Sequence, residues 1–196
     1  MWLVIVLRLV HVVSGALWIG MMAFSTYFLV PALGEVGPEG GKVMAALQRR
    51  RLMTVMPLTA LATLISGFWL YARFTAGSVG MMGTPIGLAF GLGGVAALIA
   101  FLIGIVLVRP AMMRAAALAQ DPAGNKEEAR RLRQRAESMS RLVAPMLFFA
   151  LGAMAVGELK YRVEATLLKD LLSGEPPPVV DLEAARRRAF ELLETS

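Results

Sequence analysis

The chain has 196 residues, 57% hydrophobic and 17% charged, with a mean hydropathy of +0.65; soluble domains run at about 45–50% apolar and about 25% charged. That balance excludes an ordinary soluble core and predicts one polytopic membrane domain. The net charge of +6 comes from basic residues gathered between apolar runs, a mark of membrane topology rather than of nucleic-acid binding, and the lack of cysteine excludes disulfides, thiolate metal sites and a cysteine nucleophile.

The first apolar run, residues 2–30, holds the only histidine, His11, one helical turn from Arg8. At about 1.5 Å per residue it would be roughly 43 Å long, more than the about 30 Å of a hydrocarbon core, so it must tilt or project. No basic region precedes it and no small-residue cleavage site closes it, so a retained signal-anchor helix is expected. Pro31 and Gly34 are expected to stop it.

Residues 34–41 read as a turn, and residues 42–51 as a short basic helix running into a second span over 52–74. Pro57 falls in the first turns of that span, where a missing N–H costs least. Thr59, Thr63, Ser66 and Gly67 form a small, weakly polar stripe of the kind that packs on another helix. An uncharged loop over 76–84 leads to a third span, 85–108, in which Gly87 and Gly91 make a small-xxx-small pattern.

Residues 111–140 are polar and helix-prone around a break at 121–125. The fourth span, 141–157, has Pro145 near its start. Leu159, Val163, Leu167 and Leu171 continue it at four-residue spacing to about residue 172. A Pro-rich break follows, and then an amphipathic tail helix over 181–194 with Asp181 as its N-cap.

The expected fold is therefore all-α: a polytopic four-helix transmembrane domain over residues 1–172, arranged as a 2+2 hairpin bundle, with a separate amphipathic C-terminal helix in residues 173–196. A faint internal repeat supports the 2+2 plan. Leu29-Val30-Pro31-Ala32-Leu33 corresponds to Val108-Arg109-Pro110-Ala111-Met112, and aligning the prolines sets Phe90 opposite His11 and Gly94 opposite Gly15. Positive-inside places the two basic inter-helix segments in the cytoplasm, with both termini on the outer side of the membrane.

Arg8, His11, Gly15, Trp18, Met22 and Ser25 recur at alternating spacings of three and four, which puts them on one helix face. An ionisable pair inside a span is a functional hypothesis by default. Imidazole can ligate haem b axially, with Arg8 pairing a propionate. In the plainer reading Arg8 snorkels and His11 bonds a backbone carbonyl or a hydroxyl of a neighbouring helix. Gly15, Trp18, Ser66, Gly67, Gly87 and Gly91 are the candidate helix-packing residues. The 13 methionines include pairs at Met21–Met22, Met81–Met82 and Met112–Met113. Thioethers suit Cu(I), but in an apolar bundle methionine more often fills space. Glu158, beside Lys160 and Arg162, reads as a local interfacial ion pair.

Leu9-Val10-His11-Val12-Val13, Trp18-Ile19-Gly20 and Pro31-Ala32-Leu33 resemble a loose group of bacterial membrane families: CopD-like copper-resistance proteins, DUF2269-type integral membrane proteins, the membrane part of PuuD-type urate oxidases and HemJ-type protoporphyrinogen oxidases. Arg50-Arg51-Leu52, Thr54, Pro57 and Ser66-Gly67 are similar to the start of the second HemJ helix, so the likeness covers about residues 7–75. It implies a haem-b role for His11, or copper import for a CopD-like chain. The sequence departs from HemJ in lacking a further histidine after the first span and a lysine in the third. The small-residue faces, the basic surface and the amphipathic tail point to another role: an accessory or scaffolding subunit without catalysis, its partners being the lipid bilayer and other membrane subunits or copies of itself, with no nucleic acid.

Overall fold

The computed structural model describes residues 2–121 and 123–173, which are helical throughout apart from short turns, with no strand among them. Four helical stretches are long and apolar enough to cross a membrane: Trp2–Glu35, Leu52–Thr75, Pro85–Ala119 and Lys126–Lys169. An apolar chain in lipid must satisfy its backbone N–H and C=O groups within each segment, and helices do so. The chain is thus an all-α, multi-pass bundle, as its composition implies.

Helix α1 (Trp2–Phe24) does not end at Pro31. It passes through a π-helical turn, Ser25–Leu29, into α2 (Val30–Glu35), which carries the proline in its first turn. The physical reason is the proline ring, which in a regular helix would collide with the carbonyl four residues back, that of Tyr27. Widening the turn so that Val30 N–H bonds Ser25 O lets the helix continue. Gly34 also lies within α2, so the expected turn over 34–41 shrinks to Val36 and Gly37. Gly37 has a φ of 68°, which favours glycine, and Pro38 opens α3 (Pro38–Arg49).

The basic helix does not run into the second span. Arg51 adopts the left-handed region, φ 61°, and separates α3 from α4 (Leu52–Thr75). The loop expected over 76–84 contains a single helical turn, α5 (Val79–Met82). Thr84 then caps α6 (Pro85–Ile103), its hydroxyl accepting from Gly87 N–H at 3.1 Å.

The third span repeats the device of the first. A π-helical turn, Gly104–Val108, leads into α7 (Arg109–Gln120) past Pro110, with Arg109 N–H bonded to Gly104 O. The break at 121–125 falls where expected, and the Asn125 side chain accepts from Glu128 N–H to start α8 (Lys126–Ser173). Helix α8 begins earlier than the fourth span was expected to and passes straight through Pro145.

The chain divides into two compact units, Met1–Gly157 and Glu158–Ser196. In the first, Trp18 and Met22 of α1, Ala60 of α4, Ala97 and Ala100 of α6, and Val143, Leu147 and Ala150 of α8 form one core. Trp18 meets Phe101 edge-on, centroids 6.4 Å apart. Alanines at the crossings let the helices approach closely, which matters where van der Waals packing replaces the hydrophobic effect. In the second unit, Glu158 pairs with Arg162 at 3.0 Å and Lys160 with Glu164 at 3.8 Å, while Leu159, Val163 and Leu167 are outward-facing. The tail helix expected over 181–194 lies outside the described residues.

Candidate functional site at the interface of α1 and α4

Helix α1 packs chiefly against α4, and the polar residues of both meet there. Three of the residues predicted to share a face of α1, Gly15, Trp18 and Met22, are buried, and His11 and Ser25 are half-buried. Arg8 departs from the set: it is exposed, and no described residue bonds it. Across the interface lie Thr63, Ser66 and Gly67 of the predicted stripe, while Thr59 donates to the Met56 carbonyl of its own helix.

His11 Nδ1 lies 2.9 Å from the Thr63 carbonyl oxygen. A carbonyl only accepts, so Nδ1 is the donor of this bond. Ser66 Oγ, 3.4 Å from Nδ1, donates to Ala62 O at 2.6 Å. Thr63 Oγ1 donates to Ser14 Oγ at 2.9 Å, and Ser14 in turn donates to Val10 O at 2.6 Å. The imidazole thus sits in a hydroxyl-lined seam, anchored through one nitrogen, and no described group bonds the other.

Gly67 makes the seam possible: a Cβ there would lie 2.7 Å from His11 Cε1. Gly15 is in ordinary contact range, with a Cβ position 3.4 Å from Thr63 Cγ2. Gly87 and Gly91 do not serve one helix–helix contact. Gly87 lies against the backbone carbonyls of Met81 and Met82, and Gly91 faces the Tyr71 hydroxyl, whose oxygen is 3.2 Å from its would-be Cβ. In the first case the glycine makes room for the tight α5–α6 corner, and in the second for a side chain of α4.

Two glycines that sequence reasoning passed over make the close contacts of the second hairpin. A Cβ on Gly93 would lie 3.1 Å from the carbonyl oxygen of Ala150, and one on Gly157 would lie 2.9 Å from Phe90 Cε1. The signal was present: Phe90, Gly93, Ala97 and Ala100 follow the alternating spacing that marks the His11 face.

Comparison with protein-family models, with curated proteins and with solved structures gives no match.

Proposed function

We propose that this protein is a non-catalytic membrane subunit, an accessory or scaffolding element of a larger membrane complex, with its basic inter-helix segments on the cytoplasmic side of a bacterial inner membrane. The observation that carries the reading is the use of its polar groups. Ser14, Thr63, Ser66 and Nδ1 of His11 are engaged by one another and by helix carbonyls, so the seam fixes the register of two helices. The outward-facing Leu159, Val163 and Leu167 support it by offering an apolar stripe among charges. The test is purification through an affinity tag in mild detergent, followed by native mass spectrometry. Co-purifying stoichiometric membrane proteins are expected, and a lone monomer at native expression level would sink the reading.

One observation favours a second reading. Anchoring Nδ1 to a carbonyl and leaving Nε2 unbonded is how proteins orient a metal-ligating imidazole. His11 would then hold one haem b, and Arg8, a turn away, would pair a propionate. A Soret band in the purified protein, lost in His11→Ala, would establish this; a colourless preparation from haem-replete cells would remove it.

A further inference from the structure

At the end of the bundle where Pro31, Arg109 and Arg141 lie, the first unit holds a partly open cleft of about 280 Å³, close to the lower bound of about 300 Å³ for small-molecule sites. On the first span its lining runs from Trp18 to Gly34, roughly 24 Å at 1.5 Å per residue. Both π-helical turns open onto it, through Thr26 and Leu29 on one side and Gly104 and Val108 on the other. A π turn displaces the side chains that follow it from regular helical register, and such turns recur at functional sites. Here two of them, each ending two residues before a proline, flank one space.

The wall is apolar and adaptable. Met22, Met44, Met53, Met56 and Met112 line it, so residues from two of the three methionine pairs converge here. Unbranched thioethers mould to flexible apolar chains. Polar groups are few: Ser25, Thr26, Arg109, Glu137, Ser140 and Arg141. Among the described residues no group bonds the hydroxyls of Ser25 or Thr26, and neither Arg109 nor Glu137 has an ion-pair partner. Arg109 Nε is buried without any hydrogen-bond partner, the only such side-chain atom among the described residues. A buried guanidinium N–H left without an acceptor is costly, so the position calls for one. Two arginines against one glutamate leave the cavity net positive, which selects an anion.

We infer that this cavity binds an anionic phospholipid of the surrounding bilayer, its phosphate on Arg109 and one acyl chain against the methionines as far as Trp18. The length of the cleft, its apolar wall and the unsatisfied Arg109 Nε beside a second arginine, Arg141, at its basic end fit a head-and-chain ligand better than a compact polar solute. The inference concerns a site apart from His11 and holds whether or not the protein is a subunit of a complex.

Trp18 supplies the test, because it lines the cavity and is only 5% exposed, so lipids on the outer surface of the bundle reach it poorly. Trp2 and Trp69, which are 77% and 49% exposed, are replaced by phenylalanine to leave Trp18 as the sole emitter. The protein is placed in phosphatidylcholine vesicles containing increasing brominated-chain phosphatidylglycerol, or increasing brominated phosphatidylcholine. Quenching by the anionic lipid should saturate at low mole fraction, and that by the zwitterionic lipid should rise in proportion to its content. Arg109→Gln should weaken the anionic effect about tenfold, as expected for one lost charge-assisted bond. Gly104→Leu, at a position where an added Cβ meets nothing within 4 Å, should fill the cavity and abolish saturation with Arg109 intact. Helicity by circular dichroism verifies that each variant is folded. Equal quenching by the two lipids, or anionic quenching unchanged in both variants, would overturn the proposal. So would saturable quenching by a brominated free fatty acid with none by phosphatidylglycerol, which would assign the site to a diffusible carboxylate.

Discussion

In the first hairpin an imidazole lies against a glycine of the facing helix, and in the second a phenyl ring does the same. A Cβ on Gly67 would come 2.7 Å from His11, and one on Gly157 would come 2.9 Å from Phe90. The rings correspond in the internal repeat, and so do the π-helical turns that precede Pro31 and Pro110. What differs is the chemistry around each ring. His11 is tied to Thr63 O and lies beside Ser66, with the Ser14–Thr63 pair adjoining. Phe90 is instead met edge-on by Phe74, centroids 5.4 Å apart. One packing geometry therefore operates without any polar group, so the histidine seam is not what makes the fold possible. It adds register and one available nitrogen to a contact that shape alone secures.

The largest expected effect strikes both hairpins at once. Leu147 is 1% exposed in the core shared by all four spans, and Leu147→Ala should destabilise the protein by about 2–5 kcal/mol. Equilibrium unfolding in mixed micelles measures it, and the two hairpins should melt together. Separate transitions would show that the hairpins are independent and the comparison merely formal.

The next pair separates them. Gly67→Ala and Gly157→Ala each force a ring out of its seat, at about 1–3 kcal/mol. The imidazole must also abandon its bond to Thr63 O, whereas the phenyl ring loses only contact. If the glycine contact dominates, the two variants should lose similar stability by the same unfolding assay. A much larger loss at Gly67 would make the polar seam the stronger partner.

His11→Phe converts the first hairpin to the chemistry of the second. It removes one interhelical hydrogen bond, about 0.6–1.7 kcal/mol in a membrane, and the phenyl ring should keep the seat against Gly67. The variant should stay folded, with unfolding midpoint lowered only modestly. Collapse of the helical signal would mean that the imidazole bond, not the shape of the ring, holds α1 on α4.

Much of this was legible in the sequence, because the signals are periodic. The faces of α1 and α4 follow from spacings of three and four, and the second hairpin offered the same signal at Phe90, Gly93, Ala97 and Ala100. Pro31 misled because the rule that a proline ends a helix assumes a regular turn. A π turn before Pro31 and Pro110 evades the clash, and nothing in residue type alone announces it. The cavity was illegible for a related reason. Arg109 reads as a topology charge along the chain, and only the convergence of four spans shows its Nε buried without an acceptor.

The smallest effect tests how finely the seam is tuned. Ser14 donates to Val10 O on its own helix and accepts from Thr63 Oγ1 across the interface. In Ser14→Ala that acceptor disappears, but Thr63 Oγ1 already lies 2.8 Å from the Thr59 carbonyl and can turn its proton there. No buried donor is left unsatisfied, so the cost should stay near or below about 0.6 kcal/mol. His11→Phe removes a bond as well, but it also changes the ring that fills the seat. Measuring Ser14→Ala alone and on the His11→Phe background gives the coupling between hydroxyl pair and imidazole. Additive losses would make the seam two independent bonds; a coupling well above the single-site cost would make it one cooperative network, which the second hairpin lacks.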